Sequence, residues 1–147
     1  MTGGRRQSTN YGQSTGFDIT QGIAVWNDWR KKNGGVVPNL SRATLIRAYL
    51  CAVNLSKANL CATNLTGANL NIADLTNADL SGANLSNAYL IGANLTGASL
   101  SGADLTGADL SEADLSGANL HAAIANRTNF SQAKFFKTTM PDGSIRG

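Results

Sequence analysis

From residue 40 onward the hydrophobic positions of this chain follow one period. Leucine occupies positions 40, 45, 50 and every fifth residue through Leu120, seventeen in succession, and the chain has no other leucine. Two residues before each lies a small side chain, mostly alanine (Ala43, Ala48, Ala58 and onward to Ala118), with Val53 and Thr63 departing from it. The residue just before each leucine is mostly Asn or Asp, the one after it mostly Ser or Thr, and glycine is common two after it, as at Gly67, Gly82 and Gly92. Beyond Leu120 the register weakens but persists through Phe130, Phe135 and Met140, so residues 38–142 hold twenty-one such units.

A period of five suits neither regular element. Five residues turn an α-helix through about 500°, so successive leucines would step by about 140° and wind around every side. On a flat strand an odd step sends alternate leucines to opposite faces. Within one unit, however, Ala and Leu are two apart, and a short extended piece points both the same way. The remaining three-residue step must then hold a corner that restores the inward direction. Ser/Thr followed by Gly suits that corner, because glycine tolerates positive φ and hydroxyls bond nearby backbone. One corner per unit predicts a polygonal coil stacked on itself at about 4.8 Å, with leucine and alanine as its core.

Units such as Ala83-Asn84-Leu85-Ser86-Asn87 and Ala103-Asp104-Leu105-Thr106-Gly107 resemble the pentapeptide-repeat family, over about residues 38–142. The resemblance implies an all-β solenoid, a right-handed quadrilateral β-helix with four units per coil and an N-terminal α-helical cap. Trp26-Asn27-Asp28-Trp29-Arg30, followed by Pro38-Asn39-Leu40-Ser41, is similar to a segment of cyanobacterial members, as is the tail Met140 to Arg146.

Both ends of a stacked coil need covering. Asp18-Ile19-Thr20-Gln21 resembles a capping box; Ile19, Ile23, Trp26 and Trp29 or Arg30 follow at helical spacing, and Asn33-Gly34 is a fitting stop. The pattern predicts a helix over 19–32 with Trp26 laid on the first coil. The resulting division is a disordered polar tail over 1–16, a helical cap over 17–37, the repeat rod over 38–142 and a tail over 143–147. At the far end Ala125 stands where leucine is expected; either the core shrinks or a local shift turns Ile124 inward, and the shift is the expectation. Phe130, Phe135, Phe136 and Met140 are expected to fill the last coil, and Pro141 with Asp142-Gly143 to turn the chain out of it.

With four units per coil, residues twenty apart stack in one column. Tyr49, Ile72, Tyr89 and Ile91 then fall on one side within three coils, a candidate protein-interaction face weighed against scattered tolerated substitutions. Cys51 and Cys61 fall on opposite sides, too far apart for a disulfide, and with His121 read as outward substitutes in the Ser/Thr position.

The 147 residues suffice for one domain, with 14% charged and 42% hydrophobic. No run of about 20 apolar residues predicts a membrane span. Arg5-Arg6 is followed by polar residues 7–16 without an apolar stretch, which favours the cytoplasm over export. Residues 58–126 carry Asp74, Asp79, Asp104, Asp109, Glu112 and Asp114 and no Lys or Arg, a local charge of −6; the rest sums to +9, giving +3 for the chain. Arg42, Arg47 and Lys57 mark the first coil and Arg127, Lys134 and Lys137 the last, so the acid forms a belt between basic ends. That distribution does not point to direct nucleic-acid binding.

Nothing in the chain resembles a nucleophile–base pair, a metal cluster or a phosphate-binding loop. The expectation is a non-enzymatic scaffold that displays side chains to an unidentified protein partner, with no cofactor, metal or membrane. Its oligomeric state is left open, a monomer being favoured. The resemblance implies two alternatives: DNA-mimicking binding to DNA gyrase of the fluoroquinolone-resistance type, or a regulatory partner in cyanobacterial differentiation and nitrogen signalling.

Overall fold

A computed structural model describes residues 19–147. The expected tail 1–16 and Asp18 of the expected capping box lie outside the described residues. Parallel pairing joins residues twenty apart throughout the repeats, from Asn39 with Asn59 to Asn119 with Thr139. Four units therefore make one coil, and each unit contributes one side. Three backbone bonds per unit tie coil to coil. In the first unit Leu40 N–H donates to Asn59 O at 2.8 Å and Arg42 N–H to Cys61 O at 2.9 Å, while Asn59 N–H donates back to Pro38 O at 2.8 Å.

The sequence preferences follow from this geometry. The leucines from Leu40 to Leu120 are 0–4% exposed, and the alanines two before them are buried beside them, except half-buried Ala48. The interior is thus filled by alternating large and small side chains. The Asn or Asp before each leucine accepts from the N–H two residues on, as Asn84 Oδ1 does from Ser86 N at 3.0 Å. This local bond occupies a backbone donor that the coil leaves over. Thr63, wholly buried among the leucines, is satisfied by donating its hydroxyl to Leu40 O at 2.8 Å.

Every fifth residue from 42 to 137 has φ between +50° and +68°. With the bond from Ala43 N to Leu40 O (3.1 Å) and its equivalents, these corners are β-turns with positive φ at the third residue, the type II signature. Glycine fills only seven of the twenty corners; thirteen hold side-chain-bearing residues such as Arg42, Ala52 and Glu112. The corner therefore prefers glycine without requiring it. At Gly97 a Cβ would meet the end of the Asn77 side chain one coil below, so a larger residue there would have to displace that amide.

At the N-terminal end the expected helix over 19–32 is broken. A 3-10 turn, Ile19–Gln21, precedes Gly22, and α1 then runs Ile23–Lys32. The expected capping box does not open this helix: Gly22 occupies the N-cap with φ 114° and makes no side-chain cap bond. The break turns Ile19 into the core, where it is 3% exposed. Asn33 ends α1, its N–H and its Nδ2 both donating to Trp29 O at 2.9 Å.

Three side chains of α1 meet the first coil. In later coils the backbone of each unit offers two carbonyls and one N–H to the coil beneath, and the unit at residues 53–57 has no coil beneath it. Trp26 Nε1 donates to Asn54 O (2.8 Å), Arg30 Nη2 donates to Ser56 O (2.7 Å), and Asn27 Oδ1 accepts from Asn54 N (2.8 Å). Those are the carbonyls and the donor that the missing coil would have engaged.

At the C-terminal end the register does not shift. Ile124 pairs with Asp104, its carbonyl accepts from Leu105 N at 2.7 Å, and its side chain is 49% exposed. Ala125 keeps the leucine position and the core shrinks there, contrary to the expected shift. The ladder on Asp104 and Leu105 holds the backbone, and a one-residue slip would break it. Phe130 and Phe135 pack on the core with ring centroids 5.8 Å apart. Phe136 does not join them; it occupies the outward Ser/Thr position, 59% exposed. After β1 (Thr138–Thr139) the chain turns, with Gly143 N donating to Met140 O at 2.9 Å, and β2 (Ile145–Arg146) returns antiparallel along β1.

Candidate interaction face

The twenty-residue register sets the columns of each side. One side carries the units around Leu50, Leu70, Leu90, Leu110 and Phe130, and is called side three here. Tyr49 pairs with Asn69, and Asn69 with Tyr89, so both tyrosines occupy one column two coils apart. They stand where other units have Asn or Asp, and are 70% and 51% exposed. Ile72, at the corner position, is 62% exposed. Its N–H donates to the carbonyl of half-buried Ile91 at 2.9 Å, which locks the two isoleucines into adjacent coils. Tyr89 has no side-chain oxygen to offer locally; Asn71 Oδ1 from the coil below accepts Ile91 N–H instead, at 2.9 Å. The register thus brings the four sequence-predicted residues to one side.

Tyr49 also borders an open apolar groove of about 280 Å³, lined with Ile19, Ile23, Leu45, Ala48 and Leu50. Sequence reasoning missed this groove, because it exists only through the break at Gly22 that carries Ile19 and Ile23 past the foot of side three. Other exposed apolar residues lie elsewhere: Ile46 and Ile124 on side two, Phe136 on side four, Val25 on α1, Val36 and Val37 just after it, and Ile145 on β2.

The charges fall as a belt. Asp104 lies on side two, Asp109 and Glu112 on side three, and Asp114 on side four, where Lys134 approaches it at 3.9 Å. The Thr106 hydroxyl and N–H hold the Asp104 carboxyl below its ordinary value, and Ser116 does the same for Asp114 with a smaller contribution from Lys134. Arg30 is 5% exposed; burial lowers its pKa, and the charge of Asp74 opposes that. Cys51 and Cys61 are half-buried free thiols on opposite sides, and His121 is exposed. Among the described residues no three His, Cys, Asp or Glu side chains converge as metal ligands, and no helix is long and apolar enough to cross a membrane.

A coil of five-residue units on four sides, with leucine and alanine inside, defines a class of repeat solenoid. The family model for pentapeptide repeats (8 copies) matches residues 39–77, 73–112 and 113–147. The chain belongs to that family, whose fold is the right-handed quadrilateral β-helix. Similar solved structures include HetL, a pentapeptide repeat protein involved in heterocyst differentiation regulation from the cyanobacterium Nostoc sp. strain PCC 7120. It is 34% identical over 74% of this chain and 64% of its own, with a TM-score of 0.36. Rfr23 from the cyanobacterium Cyanothece 51142 is 34% identical over 65% of each chain, TM-score 0.36. The Nostoc PCC 7120 protein alr5209 is 32% identical over 76% of this chain and 85% of its own, TM-score 0.37. The chain thus spans under two thirds of the length of the first two. The comparison with curated proteins gives no match.

Proposed function

We propose that this protein is a rigid, non-enzymatic scaffold that presents side three to a protein partner through Tyr49, Ile72, Tyr89 and Ile91. The observation that carries this reading is the exposure of two tyrosines in one column beside Ile72, at positions where most other units carry small or polar side chains. The filled interior supports a scaffold over a catalyst, since leucine and alanine occupy the space where a substrate cleft would lie. In the same proposal α1 acts as a cap on the first coil; the rod comprises 38–142, with 17–37 as cap segment and 143–147 as tail.

Binding to gyrase as a DNA mimic is the weaker alternative. It calls for sides that are acidic along their length, whereas this rod carries acid in a central belt and Arg or Lys at both ends. A supercoiling assay with purified gyrase tests it, and the present reading expects no inhibition at micromolar protein. A regulatory role in cyanobacterial differentiation stands as the second alternative, tested by the identity of the captured partner.

The decisive experiment is affinity capture from the native host with the wild-type chain and with a Tyr49→Ala/Tyr89→Ala variant. The expected result is loss of a specific partner in the variant, with the thermal transition nearly unchanged. Retention of the same partner overturns the assignment of side three, and a large loss of stability means that the tyrosines serve packing.

A further inference from the structure

The outward positions of side three are complementary in size to themselves. With coils counted from residue 38, Tyr49 lies in the first, Asn69 in the second, Tyr89 in the third and Asp109 in the fourth. A two-fold axis lying across the face between the second and third coils would set two rods antiparallel and keep each column opposite itself. The first coil of one copy then faces the fourth of the other, and the second faces the third.

Each bulky side chain meets a smaller one in that arrangement. In the column before the leucines, Tyr49 comes opposite the second copy's Asp109, and Tyr89 opposite its Asn69. In the column after them, Ile91 comes opposite Asn71. At the corner Ile72 comes opposite Gly92, which carries no side chain and is bordered by Ile72 of its own copy, and Glu112 comes opposite Ala52. No bulky residue is set against another in any of the three columns. The charges agree: Asp109 and Glu112 are the only charged residues outward on this side in the first four coils. Both would face the uncharged side-three unit 48–52 of the first coil, with Arg47 at the corner just before Tyr49.

We propose that side three pairs with a second copy of this chain in this antiparallel register, with each tyrosine seated over the partner copy's Asp109 or Asn69. The proposal rests on the reading of side three as the interaction face and names its occupant. Four coils span only about 19 Å, less than the usual footprint of a stable complex, so the dimer is weak and depends on concentration.

The register supplies its own test. Cys51 in the first coil would lie opposite position 111 of the second copy, whereas within one chain the two positions are three coils, or about 14 Å, apart, too far for a disulfide. The full chain carrying Ser111→Cys and Cys61→Ser, oxidised at about 0.5 mM, a concentration suited to weak association, is expected to give a reducible dimer linked 51 to 111. Sedimentation of the wild-type chain is expected to move from 15.3 kDa toward twice that mass as concentration rises. Ile72→Asp is expected to weaken this association at least tenfold with an unchanged thermal transition, since equivalent positive-φ corners in other columns hold Asn at 77 and 87. Links 51 to 51 or 111 to 111 overturn the register, and a wild-type chain that stays monomeric at about 1 mM overturns self-pairing altogether. A monomeric chain whose Tyr49→Ala/Tyr89→Ala variant still loses a captured partner leaves side three as the interaction face and removes only its occupant. A variant that keeps that partner removes the face reading itself.

Discussion

The two ends of the rod solve one problem differently. A stacked coil leaves unpaired backbone groups and bare core at each end. At the first coil Trp26, Asn27 and Arg30 each engage a backbone group that has no coil beneath it, the Trp26 ring and Ile19 add buried apolar volume, and Leu40 stays fully buried. At the last coil the answer is bulk. Phe130 and Phe135 replace leucine, the Arg146 guanidinium lies 3.9 Å over the Phe135 ring, and the β1–β2 hairpin covers one edge. The phenylalanines nevertheless remain half-buried, and Ala125 leaves its position underfilled. Edge bonds combined with buried apolar volume therefore protect the core more completely than apolar volume with a hairpin along one edge.

That contrast can be broken or sharpened by substitution. The largest effect is expected from Trp26→Ala, which removes a fully buried ring and orphans Asn54 O, a loss of about 3–5 kcal/mol in denaturant unfolding. Leu85→Ala in a central coil is expected to cost about 2–5 kcal/mol, and the half-buried Phe135→Ala clearly less than a fully buried aromatic; equal losses at 85 and 135 would erase the difference between middle and end. Arg30→Ala is expected to cost about 1–3 kcal/mol, because Val36 O and Ser56 O lose their donors. In the opposite direction, Ala125→Leu should stabilise by about 1 kcal/mol by filling the position the core leaves short, read as a raised thermal midpoint. The smallest effect concerns acid. Asp104 and Asp114 have carboxyls held below their ordinary value, so the folded chain binds fewer protons than the unfolded one. Their contribution is present above the unfolded value near 3.8 and is lost as pH falls through the lower folded values. Asp104→Asn with Asp114→Asn should flatten the decline in thermal midpoint below about pH 4; an unchanged slope would show that the acid belt does not couple to folding.

The repeats were legible because each physical requirement is written once per unit. An inward leucine, a small residue two before it, a local acceptor and a corner able to take positive φ recur in the letters themselves. What was not legible depends on partners far away in sequence. Ile124 reads as an inward residue until its pairing with Asp104 holds it outward. Phe136 looks like core until the same register sends it to solvent. Asp18-Ile19-Thr20-Gln21 has the spacing of a helix start, but Gly22 breaks the helix and Ile19 goes to the core instead. Counting in twenties gives the register of the four side-three positions, whereas the groove beside Tyr49 required knowing where α1 lies.

The identity of every corner has an architectural corollary. Because all four sides are built from interchangeable units, gaining or losing five residues turns everything above that point through a quarter rotation and leaves the leucine spine continuous. Removing one unit between Leu50 and Leu90 would carry Tyr89 around to the neighbouring side while each remaining coil still closed. Such a scaffold can re-aim its surface by whole-unit insertions and deletions, with little change to what holds it together.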